Sequence, residues 1–206
     1  MEVYIDALAA AEFLSAAGAV YPGITKDSPL PCFAVLLGTH TDDVDHVRRI
    51  AFADNARADD AAAQAEFAEN IVPRFGQQYE NPLRGWWCAP KDLLRIARQG
   101  EAEDLDILGG VHLHPDWHRI CGVTDAGATL SEHPTAMDEY LFRNAAWPVH
   151  LICYLAEHDS ALYHTWAGWR TDPDGVCRRV PVRAGCALPG RSADHNAAAT
   201  AALSGG

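Results

Sequence analysis

The run Cys32-Phe-Ala-Val-Leu-Leu-Gly38 constrains the fold more than any other stretch, because it passes without a single charged side chain. A strand with one wet face alternates in polarity; this one does not, so it belongs at the centre of a sheet covered on both sides. Such a strand needs helices to cover it. Asp6 stands where a helix N-cap belongs, and Ala7, Ala10, Ala11 and Leu14 then recur at helical spacing up to Gly18, a stop. Asp59 to Asn70 is Ala-rich and acidic, a helix by propensity that Pro73 is expected to end. Pro90 opens another helix through Leu93, Leu94, Ile96 and Ala97, and Gly100 closes it.

Between these helices lie further strand candidates: Glu2 to Ile5, a segment with Val47, Ile50 and Phe52, Gly85-Trp-Trp-Cys88, Leu105 to His114, Val149 to Leu155, Ala161 to Trp169, and a last strand through Val182. Alternating strands and helices predict an α/β fold with a mixed, curved sheet. Tyr21 to Pro31 carries too many prolines and glycines for a regular element, and residues 116 to 134 read as a long loop. The 206 residues suit one domain, placed at residues 1–188. Residues 189–206 are mostly Ala, Ser and Gly and bury too little to order themselves, so a disordered tail is expected there.

Charge excludes some functions. Sixteen Lys and Arg against twenty-eight Asp and Glu leave a formal charge of −12 with no basic patch, which argues against nucleic acid and against anionic membranes. The longest apolar run, Val149 to Ala156, is too short to span a bilayer. An N-terminus bearing Glu2, Asp6 and Glu12 does not fit a secretory signal, so cytoplasmic residence is the expectation. Six cysteines without a CxxC pair read as reduced thiols.

The chemistry-bearing stretch is Gly109-Gly-Val-His112-Leu-His114-Pro115, followed by Thr135-Ala-Met-Asp138. Histidines at i and i+2 on a strand share a face, about 7 Å apart along the backbone, and can close on one ion. With Asp138 as a third ligand, a tetrahedral zinc would keep an open position, the mark of a catalytic site. The competing reading needs no metal, since Thr135-x-x-Asp138 is also nearly a helix capping box.

This order of parts resembles the JAMM (MPN, Mov34) metalloprotease domain over about residues 1 to 185. The resemblance rests on Cys32 to Gly38, the His-x-His-Pro at 112–115, Thr135-x-x-Asp138 and the apolar strand from Val149. It implies a cytidine-deaminase-like three-layer arrangement, Zn2+ held by His112, His114 and Asp138, and Thr135 in place of a serine that helps hold the oxyanion. Ser131 competes for that role. The implied reaction is hydrolysis of an amide or isopeptide bond at the C-terminal tail of a ubiquitin-like or sulfur-carrier protein, with zinc supplying a nucleophile at neutral pH.

Two departures accompany the resemblance. The family's general-base glutamate falls at Pro31, and loss of a general base costs on the order of 10²–10⁴-fold in rate. The connection from His114 to Thr135 is also longer than the family's, and it carries His118 and His133. Asp27, His118 and His133 are the residues from which a substitute base is expected. Two other function classes stay open on these grounds: a JAMM-like binding or scaffold module, and a hydrolase of a small biosynthetic molecule.

Overall fold

The chain starts with strand β1 (Glu2–Ile5) and helix α1 (Ala7–Val20), then a turn of 3-10 helix at Tyr21–Gly23 leads into an irregular segment. Strands β2 (Phe33–His40) and β3 (Val44–Phe52) form an antiparallel pair. The helical stretch that follows is α2 (Ala61–Glu66), a π-helical turn (Phe67–Ile71) and α3 (Val72–Phe75). Helix α4 (Pro90–Glu101), strand β4 (Asp106–Pro115), helix α5 (Ala136–Ala145) and strands β5 (Val149–His158), β6 (Ala161–Thr171), β7 (Cys177–Val180) and β8 (Val182–Ala184) complete it. This is a computed structural model, and it describes residues 1–116, 119–120, 133–145 and 147–185. The expected tail, His118, Ser131 and most of the expected loop lie outside the described residues.

The eight strands make one mixed sheet in the order β7-β6-β5-β4-β2-β3-β1-β8. Its two outermost strands are separated in sequence by Pro181 alone, so the sheet curves until it is nearly closed. Proline has no N–H for a ladder, which suits the residue at which the chain leaves β6 and joins β1. The Pro181 carbonyl still accepts from Val3 N at 2.8 Å. The closure is tight: a Cβ added at Gly168 on β6 would stand 2.7 and 2.9 Å from the Val182 and Val180 side chains.

The two faces of the sheet are packed differently. One face joins Val3, Ala34, Leu36, Val111, Leu151 and Cys153 to Ala9, Ala10, Phe13 and Ala17 of α1 in a single apolar core. On the other, Val35 and Leu37 meet Ile96 of α4, while Ile152 and Tyr154 meet Phe142 of α5. β2 is therefore buried on both faces, as its composition demands. Among the described residues no helix is long and apolar enough to cross a membrane.

Several expectations need correction. Helix α1 runs past Gly18 to Val20 and buries Ala9, Ala10, Phe13 and Ala17 rather than the face with Ala7, Ala11 and Leu14, because the large Phe13 ring fixes its rotation against the sheet. Asp6 precedes it without a side-chain capping bond; its carboxylate goes instead to His46 Nε2 at 2.7 Å. Pro73 does not end the helical stretch but follows its π-helical turn, in the first turn of α3, and Gly76 at φ 110° is the actual stop. Gly85 to Cys88 is not a strand: it makes one isolated bridge, Asn55 to Cys88.

Candidate metal centre

Simple alternation along β4 would send its histidines to the wrong side. Ile107 packs toward α4 and Leu108 toward α1, so strict period two would put His112 and His114 into the apolar α1 core. A bulge prevents this. Leu36 pairs with Gly109 and Leu37 with Ile107, leaving Leu108 as the extra residue, and the side-chain phase flips beyond it. Val111 and Leu113 then enter the α1 core, and His112 and His114 face α5. Gly109 is required at this kink: a Cβ there would stand 1.7 Å from the Val149 carbonyl oxygen.

Helix α5 brings the carboxylate. Asp138 N donates to Thr135 Oγ1 at 3.1 Å, and the Asp138 carboxylate accepts from Thr135 N at 2.7 Å, a capping box with aspartate in the return position. Thr135 Oγ1 also donates to Asp138 Oδ2 at 2.7 Å. The capping and metal readings are therefore not rivals. The same carboxylate that caps the helix lies 3.3 Å from His112 Nε2 through Oδ1 and 3.3 Å from His114 Nε2 through Oδ2.

The two Nε2 atoms are 3.0 Å apart. A tetrahedral zinc with bonds of about 2.0–2.1 Å needs donor atoms spaced by roughly 3.3 Å. The two imidazole nitrogens are 3.0 Å apart, each is 3.3 Å from a different oxygen of the Asp138 carboxylate, and one ligand atom from each of the three residues lies within 4.8 Å of the others, a set that could hold a metal ion. Burial alone would raise the Asp138 carboxyl, but His114 and His112 outweigh it and hold it well below the usual carboxylate range. Asp138 is 5% exposed, so this is a buried charge with imidazoles and no guanidinium or ammonium as described partners.

The three groups line a cleft of about 560 Å³. Its walls are aromatic: the Phe33 ring stacks on Trp86 with centroids 5.1 Å apart and on Trp147 at 6.4 Å. Pro31 lines it as well, so the position where the resemblance expects a glutamate does face the site, with no group to move a proton. Asp27 is exposed and is not on the wall, and His133 is exposed with its ring 6.4 Å from that of Trp169. Neither joins the cluster.

Sequence reasoning missed other residues of this cleft. Glu66 lines it, its carboxylate accepting from Tyr140 at 3.0 Å and Asn70 at 2.7 Å. His150 is 4% exposed, stacked on Phe142 at 4.2 Å, and its Nε2 has no hydrogen-bond partner among the described residues. Burial, and then the neighbouring His112, push its pKa down to about 4. Tyr79 and Arg84 come from the connection before α4, which the buried Arg57 fastens by donating to the carbonyls of Tyr79, Asn81 and Arg84 while stacking 3.6 Å over Phe67. No periodic signal marks these residues; only the carbonyl cage around Arg57 explains why an irregular segment holds them in place.

No family model and no curated protein matches this chain. Among solved structures it is similar to the solution structure of a protein from Desulfitobacterium hafniense, with a TM-score of 0.51 and 13% identity over 91% of this chain and 95% of that one. A protein from Salinibacter ruber, also solved in solution, aligns at a TM-score of 0.44 and 19% identity over 85% of this chain and 86% of that one. The first likeness concerns the fold alone.

Proposed function

We propose that the chain is a zinc-dependent hydrolase of JAMM type that cleaves an amide bond, with His112, His114 and Asp138 as metal ligands. One observation carries this reading. Three side chains of the kinds zinc prefers converge on the wall of a cleft, with one ligand atom from each within 4.8 Å of the others, around a buried carboxylate that no lysine or arginine of the described residues neutralises. A bound zinc ion would supply Lewis acidity and a nucleophile at neutral pH. The finer JAMM assignment, with its three-layer arrangement, rests on the sequence motifs.

The chain's own groups divide the remaining work. Thr135 holds the Asp138 carboxylate through both its backbone N–H and its hydroxyl, fixing the ligand on the first turn of α5. Its single hydroxyl proton is given to Asp138, so helping to hold an oxyanion requires that bond to switch. Tyr79 stands beside Thr135, Asp138 and Arg84: burial and the Asp138 charge raise its pKa, and Arg84 and Thr135 pull it back. With Pro31 facing the cleft, the nucleophile gets no help from the family's usual position.

The resemblance points to a ubiquitin-like or sulfur-carrier tail as substrate. The walled aromatic cleft favours the second reading, a small molecule, because its volume falls within the range of small-ligand pockets, about 300–1,000 Å³. The test is hydrolysis of a panel holding both tail peptides and small N-acyl amino acids, by protein stripped of metal and by protein restored with zinc. Zinc-dependent release of amine from one class is expected. Zinc-loaded protein that binds members of the panel without cleaving any would favour the scaffold module.

A further inference from the structure

Arg84 is out of keeping with its surroundings. It lines the cleft, and among the described lining residues it is the one Lys or Arg. The chain carries a formal charge of −12, so a guanidinium would find carboxylates easily, yet among the described residues none pairs with Arg84. Instead it lies with its guanidinium carbon 5.3 Å from the centre of the Tyr79 ring.

Its placement is also built. Arg57 is 4% exposed and pairs with no carboxylate of the described residues; burial pushes its pKa down to about 10. A buried charge of this kind costs stability unless its donors are all used. Arg57 spends them on the backbone carbonyls of Tyr79, Asn81 and Arg84, and Asn55 adds a bond from its side chain to Gly85 O at 3.2 Å. The segment from 79 to 85 is thus anchored from behind, and Arg84 is presented to the cleft by a fixed backbone. Tyr79 links it to the ligand cluster, since the same phenol that feels Arg84 also feels Thr135 and Asp138.

We propose that the cleft binds a small monocarboxylate with a flat apolar body, its carboxylate on Arg84 and its body against Phe33, Trp86 and Trp147. The fork of a guanidinium matches a carboxylate with two parallel hydrogen bonds. One guanidinium balances one negative charge. A dianionic phosphate would have one guanidinium to offset two charges on a wall that also carries the carboxyl side chains of Glu66 and Asp138. The aromatic rings supply stacking area for a planar acyl group. This rests on the proposed hydrolase reading for the position of the scissile amide, which lies between the body and the carboxylate and faces His112, His114 and Asp138; the carboxylate anchor itself does not need the metal. An N-aroyl amino acid has these three parts in this order.

The experiment is calorimetric titration of the full chain, zinc-loaded and metal-stripped, with N-benzoylglycine, its neutral amide N-benzoylglycinamide, and benzyl phosphate. The wild type should bind N-benzoylglycine about tenfold or more tighter than the neutral amide, in both metal states. Arg84→Gln should remove that preference and leave the affinity for the neutral amide and the zinc content unchanged, and Arg84→Lys should restore part of it. Three results would overturn the proposal: no binding of N-benzoylglycine in either metal state, equal affinity for acid and amide in the wild type, or, in the metal-stripped protein, tighter binding of benzyl phosphate than of N-benzoylglycine. An Arg84-dependent preference in a protein that takes up no zinc would keep the anchor and refute the metal reading. Zinc uptake without the preference would do the reverse.

Discussion

Asp45 and Asp138 are both buried carboxylates with histidine beside them, and the difference between them separates a structural charge from a candidate site. Asp45, fully buried on β3, is gripped by Arg170 from β6 and by His40 Nδ1 at 2.5 Å. The guanidinium is a permanent counter-charge from a strand that lies on the far side of β4 and β5 in the sheet order, so the pair ties distant parts of the curved sheet together. Among the described residues Asp138 has no guanidinium or ammonium beside it. It faces two imidazoles instead, each with its Nε2 3.3 Å from one of the carboxylate oxygens. The chain supplies a cation at Asp45, and the proposed zinc would supply one at Asp138.

Breaking the Asp45 side should have the largest effect on stability. Asp45→Asn leaves Arg170 short of its counter-charge in a partly buried position, and a loss of about 3–5 kcal/mol is expected in chemical denaturation, with zinc binding unchanged. A loss of zinc without a loss of stability would reverse the roles assigned to the two carboxylates.

The next effect is on pH dependence and belongs to the Asp138 side. His150 is buried with its pKa pushed down to about 4, against about 6.5 in an unfolded chain. The unfolded state therefore takes up the proton first as pH falls. The stability linked to His150 is fully present above pH 6.5, declines between about 6.5 and 4, and is gone below; its size is about 3 kcal/mol. In metal-free protein, His150→Phe should flatten the stability curve across that window, and an unchanged slope would show that His150 is not neutral in the fold.

The smallest effect concerns the cap. Thr135→Ala removes the acceptor for Asp138 N and one of the two donors to its carboxylate, and should cost about 1 kcal/mol in the metal-free protein, while Thr135→Ser should cost a few tenths. If zinc affinity falls with Thr135→Ala and not with Thr135→Ser, the hydroxyl orients the ligand. Equal affinities would confine Thr135 to helix capping.

Much of this was legible in the sequence, and what was not has physical causes. His112 and His114 could be paired from spacing alone, because residues two apart share a strand face whatever the fold. Which face they share was not legible: it depends on the bulge at Leu108, and only the doubled glycine at 109 and 110 hinted at one. Thr135 and Asp138 were legible as a cap, which is present, and the same Asp138 carboxylate reaches the two histidines with which it was read as a candidate ligand. Arg57, Tyr79 and Arg84 were invisible because their positions follow from a carbonyl cage in an irregular segment, which has no period to read. The near closure of the sheet was equally hidden, since it turns on where Pro181 hands the chain from one strand to another.

The central claim is that His112, His114 and Asp138 hold one metal ion, and elemental mass spectrometry of dialysed protein measures it directly. The wild type and Asp45→Asn should each carry about one zinc per chain, and Asp138→Ala none while remaining folded by circular dichroism. An absence of zinc in the wild type after growth and refolding with zinc, or equal zinc in wild type and Asp138→Ala, would contradict it and leave the capping box as the whole role of Thr135 and Asp138.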